Sequence, residues 1–231
     1  MHAPFVDRRE AGRALAGKLR EYVDQPNVLV LGLPRGGVPV AYEVAVALGA
    51  PLDVFVVRKL GVPGHEEMAF GAIASGGVRV LDPVVIAQLR LSDAAIDAVT
   101  REERMELEQR EELYRPERQF SSVAGRTVIL VDDGVATGAS MYAAVRALRQ
   151  ERPAKIVVAT PVASADAIRA LANVADECVC VMRPVIFQAV GLWYLHFDQT
   201  SNDEVRRLLR EARDRPIGLT AAGSAPPGAD A

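Results

Sequence analysis

Two adjacent acids followed by a turn of small residues give the strongest chemical signal in the chain. Asp132 and Asp133 come directly after Val128–Val131, an apolar run short enough to be a buried strand. The next residues, Gly134–Ser140, contain two glycines and two hydroxyl side chains and lead into a helical pattern. Backbone N–H groups of such a turn attract phosphate, and carboxylates accept hydrogen bonds from sugar hydroxyls. The segment therefore predicts a site for a phosphorylated sugar.

Three other interpretations of this segment account for less of it. A purely structural role would make Asp132 a helix cap and would leave two adjacent acids at a strand end unexplained. Phosphatases of the haloacid dehalogenase type carry acids at alternate positions, whereas these acids are neighbours. A Walker-type phosphate loop needs Lys before its Ser or Thr, where this sequence has Ala139.

Two other segments place polar or flexible residues directly after predicted strands. Gly32–Gly37 ends the apolar run Val28–Leu33 and lacks the spacing of a Gly-x-Gly-x-x-Gly dinucleotide loop. Arg58-Lys59 follows the predicted strand Asp53–Val57 and opens a Gly-, His- and Glu-containing loop over Leu60–Phe70. Ligands of parallel sheets bind beyond the carboxyl ends of the strands. We therefore expect these loops to meet the acidic segment.

Apolar runs alternate with amphipathic segments, which predicts an α/β domain with an open, mainly parallel sheet and helices on both faces. The chain has 231 residues, 50% hydrophobic and 25% charged, as in an ordinary globular domain. Residues 1–215 are expected to form one domain, and the Ala-, Gly-, Pro- and Ser-rich residues 216–231 a disordered tail. Further predicted elements are strands Lys155–Thr160 and Glu177–Met182, weak strand character at Ala72–Ala74, and helices Val38–Leu48, Ser140–Gln150 and Asp203–Arg213.

Two helices have recognisable starts or faces in the sequence. Asp7, with Glu10 three residues later, forms a capping-box pattern and predicts an N-terminal helix. The charged segment from Ser92 to Arg118 predicts a long helix with a solvated face. Its apolar anchors would be Ile96, Val99, Met105 and Leu113.

Charge and composition restrict the expected partners and location. A formal net charge of −3 argues against capture of nucleic acid or of an anionic membrane. The N-terminus lacks the apolar core of a signal peptide, and the region Gly36–Val57 is interrupted by prolines and acids. Cys178 and Cys180 are too close for an easy disulfide and are expected to be buried free thiols. We expect a cytoplasmic protein without a nucleic-acid or membrane partner.

Val128–Ser140 resembles the signature of the type I phosphoribosyltransferases over all thirteen positions. The likeness extends from about Val28 to Met182 and is greatest to uncharacterised members of that family. It implies the type I phosphoribosyltransferase fold with a small hood subdomain. It also implies a Mg²⁺-dependent enzyme of nucleotide metabolism, which transfers the 5-phosphoribosyl group of phosphoribosyl pyrophosphate (PRPP) to a nitrogen acceptor such as a nucleobase and releases pyrophosphate.

The resemblance also implies roles for individual residues. Asp132 and Asp133 would be the acids that hold the ribose 2′- and 3′-hydroxyls, with Mg²⁺ contacted only indirectly, through PRPP or water. Lys59 and His65 would act in a mobile catalytic loop, where a cation neutralises the departing pyrophosphate. Orotate-type members have a second Lys shortly after the first, which is missing here. The expected substrate-binding residues are Arg35, Gly36, Gly37, Arg58, Gly134, Val135, Ala136, Thr137, Gly138, Ala139 and Ser140.

Residues 183–200, below called the aromatic segment, concentrate aromatic side chains in an aromatic-poor chain. Together with the N-terminal helix, or in place of it, this segment is expected to form the hood over the acceptor; the simpler alternative is a small satellite core. Other members of the fold are regulators, so a PRPP-binding module without turnover is the alternative function. PRPP synthesis ranks last because no ATP site is recognisable. A homodimer stays open, since dimers are common in the family.

Overall fold

The structure is a computed structural model that describes residues 4–115 and 120–215. The tail expected over 216–231 lies outside the described residues. The helices are α1 (Arg8–Ala16), α2 (Gly37–Leu48), α3 (Pro83–Leu89), α4 (Asp93–Tyr114), α5 (Ala139–Gln150), α6 (Ala165–Leu171) and α7 (Asn202–Arg213). The strands are β1 (Val28–Gly32), β2 (Leu52–Val54), β3 (Val57–Val62), β4 (His65–Ala74), β5 (Val78–Leu81), β6 (Thr127–Val131), β7 (Lys155–Val162) and β8 (Glu177–Met182).

A five-stranded parallel sheet forms the centre of the domain, in the order β2-β1-β6-β7-β8. Side chains of its inner strands alternate between two apolar layers. Leu29, Leu130 and Val158 pack with α5 and α6 on one face, whereas Val30 and Ile129 pack with α1 and α2 on the other. The expected α/β architecture with helices on both faces is therefore confirmed.

The start of α1 agrees with the predicted capping box in one half. The Asp7 carboxylate accepts a hydrogen bond from the Glu10 N–H at 2.8 Å. The Glu10 carboxylate accepts from the N–H of Val6, one residue before the cap, instead of from Asp7 itself.

Cys178 and Cys180 carry free thiols, as expected, and are only half-buried on the edge strand β8. In the described part of the chain, no helix combines the length and the apolarity that crossing a membrane requires.

A second, three-stranded antiparallel sheet, β3-β4-β5, lies after β2 and corrects the sequence interpretation. The loop expected over Leu60–Phe70 is a β-hairpin, in which Val57 pairs with Ala74 and Val62 with His65. Gly64, in the tight turn, has a φ of 77°, a conformation that favours glycine. The hairpin was not predicted because its glycines and charged residues weaken the alternation of apolar side chains that marks a strand.

Helix α4 packs against the hairpin and against α7. It begins after the Ser92 cap, whose hydroxyl accepts from the N–H of Ala95, and it is largely exposed, as predicted. The predicted anchor Met105 is wrong: its side chain is 58% exposed. Leu107 and Tyr114 are buried instead, because they face β3 and α7.

Arg115 joins α4 to both sheets. Its guanidinium lies 3.6 Å from the Asp53 carboxylate at the end of the parallel sheet, donates to the Ser75 hydroxyl at 3.0 Å, and pairs with Glu111 at 2.6 Å. The side chains of Arg115 and Asp53 are only 3% and 4% exposed. This buried pair therefore fixes the second sheet relative to the first.

Arg115→Met is expected to lower the free energy of unfolding by about 3 kcal/mol, because it leaves buried carboxylates without their cation. Urea unfolding followed by circular dichroism measures this change. Arg79→Met is the matched control, since Arg79 pairs with Asp97 at the surface and its loss should change stability by less than about 0.5 kcal/mol. Equal effects of the two substitutions would contradict the assigned role of Arg115.

Candidate functional site

Asp132 and Asp133 lie immediately beyond β6, at the carboxyl edge of the parallel sheet. The N–H of Asp133 donates to the Asp132 carboxylate at 2.9 Å, so the Asp132 side chain is held against the backbone of its neighbour. The neighbouring strand end is held against them, since the Leu33 N–H donates to the carbonyl of Val131 at 2.9 Å. The Gly32–Gly37 loop and the acidic segment, which were expected to meet at this edge, therefore do meet.

The turn over Gly134–Ser140 connects these acids to α5. Val135 is buried and bridges to Ala163 of the next strand loop, whereas the residues that follow it are mostly exposed. Gly138 has a φ of 80° and directly precedes α5. The Ser164 hydroxyl donates to the carbonyl of Ala136 at 2.6 Å and holds the turn from outside. The result is a fixed turn at a helix N-terminus, which is a favourable place for a phosphate group.

Gly36 and Gly37 come into direct contact with the two acids. A Cβ atom added to Gly36 would lie 2.0 Å from Oδ2 of Asp133, and one added to Gly37 would lie 2.7 Å from the carbonyl oxygen of Val131. Any side chain at these positions would therefore displace the acids. The preceding peptide bond, Pro34–Arg35, is cis. The glycine turn expected to hold diphosphate thus forms one wall beside the acids expected to hold ribose.

Burial and mutual repulsion act on the paired acids. Asp132 is half-buried and lines the larger cavity described below. Burial, followed by the charge of Asp133, raises the pKa of Asp132 well above its ordinary value. Burial also raises the pKa of Asp133, and the guanidinium of Arg8, 2.7 Å away, opposes that rise. Arg8 is the cation that faces the pair.

A cavity of about 700 Å³ opens between Asp132, the Pro34 loop, the β3–β4 hairpin and α4. Its wall brings together the predicted residues Arg58, Lys59, Asp132 and Ser140. A smaller cavity of about 270 Å³ lies beside the phosphate turn, against Thr137, Gly138 and Ala139. Lys59 lines both cavities, so it stands between the acid end and the phosphate turn.

The cations around the larger cavity differ in whether they are already paired. Arg58 is bound to Glu103 of α4 at 2.6 Å. Within residues 4–115 and 120–215, no carboxylate pairs with Arg35, Lys59 or Arg110. Arg110 and Arg35 lie close enough to Tyr114 to oppose the rise in its pKa that burial causes. Lys59 and Arg110 line this cavity, and cations that no carboxylate of the described ranges neutralises suit a polyanionic ligand.

Sequence reasoning did not identify three parts of this site. Arg8, Arg110 and Tyr194 were not singled out, and α4 was expected only to be solvated. Val99, Glu103 and Arg110 of α4 all line the larger cavity, and their spacing puts them on one helix face. That spacing was a usable signal. His65, by contrast, is exposed on the first residue of β4 and lies outside the wall of the cavity, to which its neighbour Glu66 contributes.

The aromatic segment packs directly on the acid loop and on the N-terminus. The Tyr194 hydroxyl donates to the backbone carbonyl of Asp133, and Phe5 contacts the Tyr194 ring at 5.7 Å between centroids. Phe5 and Tyr194 also form a backbone bridge. A Cβ atom on Gly134 would lie 2.3 Å from the Val190 side chain. Both segments expected to supply a hood therefore lie together beside the two acids.

No group of three or more His, Cys, Asp or Glu side chains that could hold a metal ion occurs in the described residues. Mg²⁺ in phosphate-transfer sites is commonly held by one or two carboxylates together with substrate oxygens and water. Asp132 lines the cavity and offers hard oxygen atoms of this kind. The residues therefore fit Mg²⁺ that arrives with a phosphorylated substrate.

Comparisons with known proteins agree with this geometry. The family profile "Phosphoribosyl transferase domain" matches residues 7–194, a longer stretch than the motifs alone suggested. Two Mycobacterium tuberculosis proteins, from strains CDC 1551 and H37Rv, carry the provisional name phosphoribosyl transferase and are 48% identical over 225 residues. These cover 96% of this chain but 51% of the relatives, so the chain spans about half their length.

The crystal structure of the protein TT1426 from Thermus thermophilus is similar over most of the chain. Its TM-score is 0.82 and its sequence identity 45%, with 90% of this chain and 98% of that chain covered. The expected fold is therefore confirmed at the level of the whole domain.

Asp132→Asn is expected to raise the melting temperature by a few degrees at neutral pH. Burial raises the pKa of the carboxylate, so its charge costs folding free energy, whereas Asn keeps the oxygen that accepts from the Asp133 N–H. Because the pKa of Asp132 is raised in the folded state, the native wild type takes up a proton at a higher pH than the unfolded chain does. The advantage of the variant should therefore shrink as the pH falls through that pKa.

Asp133→Asn is the control, because it removes the ion-pair partner of Arg8 and should not stabilise the protein. Differential scanning calorimetry between pH 5 and 8 measures both variants. A melting temperature of Asp132→Asn that stays at or below that of the wild type throughout would contradict the assigned cost of this charge.

Proposed function

Because the chain belongs to the phosphoribosyl transferase domain family, we propose that it transfers the 5-phosphoribosyl group of PRPP to a nitrogen acceptor and releases pyrophosphate. The observation that carries this proposal is the order of groups along one sheet edge. Asp132, Ser140, Lys59 and Arg110 line the larger cavity, and Lys59 also lines the smaller one beside Thr137. Gly36 and Gly37 lie directly against the acids. PRPP presents its groups in the same order: a 5′-phosphate, ribose hydroxyls and a diphosphate.

Each part of the substrate has a suitable counterpart. Asp132 and Asp133 accept hydrogen bonds from the ribose hydroxyls, and amides of Gly134–Ser140 at the start of α5 hold the 5′-phosphate. The turn at Gly36 and Gly37 contacts the diphosphate with the Gly36 amide as donor, because the Gly37 N–H already donates to the carbonyl of Leu33 at 3.0 Å. Arg35, Lys59 and Arg110, which lack ion-pair partners in the described ranges, balance the charge of that diphosphate.

The reaction breaks the bond between the anomeric carbon and the diphosphate oxygen, and the electron pair leaves with pyrophosphate. The acceptor nitrogen donates its lone pair to the anomeric carbon from the opposite face, which inverts the configuration, and the nitrogen loses its proton to water. Positive charge develops on the sugar beside the carboxylates and negative charge on the leaving group beside Lys59. When bound with PRPP, Mg²⁺ supplies further positive charge and orients the diphosphate oxygens.

A nucleobase is the acceptor that we propose, with nucleotide synthesis in the cytoplasm as the setting. The aromatic segment supports this, because it brings Tyr194 and Phe197 rings, 5.0 Å apart between centroids, next to Asp133. Tyr194 is buried against Phe5 and Phe197, so the partly exposed Phe197 is the aromatic side chain of this pair that a flat nitrogen heterocycle would reach. The acceptor is expected to approach from this side, away from the cations that hold the leaving group.

The test is release of pyrophosphate from PRPP and Mg²⁺ with a panel of purine and pyrimidine bases. The double substitution Asp132→Asn and Asp133→Asn should lower turnover by a factor of about a hundred or more, since it removes the carboxylate bonds to both hydroxyls. Asp166→Asn with Asp203→Asn is the matched control, because both of these carboxylates are exposed at the surface. This control should retain the wild-type rate.

Unchanged turnover in the Asp132/Asp133 variant would overturn the site. Binding of PRPP in calorimetry without pyrophosphate release for any acceptor would overturn the enzymatic proposal and would instead identify a PRPP-binding regulator.

A further inference from the structure

Arg8 connects three parts of the chain at the two acids. Its Nε donates to Oδ2 of Asp133 at 2.7 Å, and its Nη1 donates to the backbone carbonyl of Asp198 at 2.6 Å. Its guanidinium also lies over the ring of Phe197, 4.0 Å from the centroid. The side chains of Arg8 and Asp133 are 12% and 14% exposed. The pair is thus largely shielded from water, and this shielding strengthens the attraction between its two charges.

The position of Arg8 in its own helix is unfavourable. Arg8 is the first residue of α1, and a cation at a helix N-terminus is repelled by the helix dipole. A residue that breaks a local rule is commonly compensated by a contact elsewhere. For Arg8 that contact is Asp133, 125 positions away in the sequence.

The next residue, Arg9, offers a direct comparison on the same helix. Its side chain is 42% exposed and pairs with Glu43 of α2 at 2.6 Å. Neither Arg9 nor Glu43 lines either of the cavities described above. Two neighbouring arginines therefore have separate structural tasks.

The Asp133 carboxylate is confined on two sides. Arg8 Nε lies against Oδ2, and the turn at Gly36 lies so close to the same oxygen that no Cβ atom would fit. The backbone of Asp133 is also held, because its carbonyl accepts from Tyr194. With Oδ2 and the backbone fixed, the second oxygen of the carboxylate keeps one orientation.

From this geometry we propose that Arg8 is a positioning residue for the ribose site: it fixes the Asp133 carboxylate against the glycine turn in the orientation that accepts a ribose hydroxyl. The inference rests on the proposed function, since it assigns the ribose to these acids. Arg8 acts through Asp133 and through its supports in the aromatic segment, Phe197 and Asp198. It does not contact the diphosphate or the 5′-phosphate.

The test compares Arg8→Met, Arg8→Lys and the control Arg9→Met by isothermal titration calorimetry with Mg²⁺ present. The probes are PRPP, ribose 5-phosphate and inorganic pyrophosphate. Arg8→Met should weaken binding of ribose 5-phosphate and PRPP about tenfold or more, as expected when a charge-assisted contact is lost. It should leave pyrophosphate binding within about twofold of wild type. Arg8→Lys should restore part of the loss, and Arg9→Met should bind all three probes like wild type.

Several outcomes would overturn the inference. Unchanged or tighter binding of ribose 5-phosphate by Arg8→Met would mean that Arg8 does not position the acid, or competes with the sugar. An equal loss for all three probes would indicate only a general structural role, and melting curves of each variant would identify unfolding. The proposed function fails separately: wild-type protein that binds neither PRPP nor ribose 5-phosphate would remove both proposals, whereas wild-type binding with an insensitive Arg8→Met removes this one alone.

Discussion

The site depends on one constraint: two neighbouring carboxylates must remain in a half-buried place at the end of a strand. Burial raises the pKa of both Asp132 and Asp133, and each carboxylate repels the other. The protein keeps them there with the cation of Arg8 and with a glycine turn that approaches Asp133 more closely than any other residue type permits. The helices, the aromatic segment and the glycine turn around the acids can be understood as the supports of this unfavourable arrangement.

A second feature is the separation of charge across the cavity. The acids lie at the end of β6, while Lys59 and Arg110, for which the described residues supply no carboxylate partner, come from the hairpin and from α4. With a net charge of only −3, the protein cannot attract phosphates by its overall field, so local amides and these cations must do so. The antiparallel sheet and α4 consequently contribute to the walls of the larger cavity, and the buried pair between Arg115 and Asp53 fixes their position.

Local and non-local information in the sequence account for different parts of this result. The strand-acid-turn-helix order over Val128–Ser140 was predictable, because the apolar strand, the paired acids and the glycine-containing turn all lie within these thirteen residues. The hairpin Val57–Ala74 was not, since its glycines and charges obscure the period of two. Arg8 was not identified, because its contact with Asp133 spans 125 positions and its unfavourable place at a helix start does not indicate which residue compensates it. Whether His65 takes part in chemistry stays a prediction, and its exposed position offers no support.

The arrangement of cations also bears on the choice between an enzyme and a binding module. A module that only binds PRPP needs the acids, the phosphate turn and the glycine amides, which together recognise the sugar and its 5′-phosphate. Unpaired cations on the diphosphate side contribute most when the leaving group gains charge, that is, in the transition state. Lys59 lies on a hairpin strand and lines both cavities. In the proposed reaction its ammonium group would neutralise the negative charge that develops on the leaving diphosphate. The neighbouring cation Arg58 is instead paired with Glu103, so the cations of the cavity wall are not all left without an ion-pair partner. For this reason the cations support the proposed transferase more than the alternative binding module.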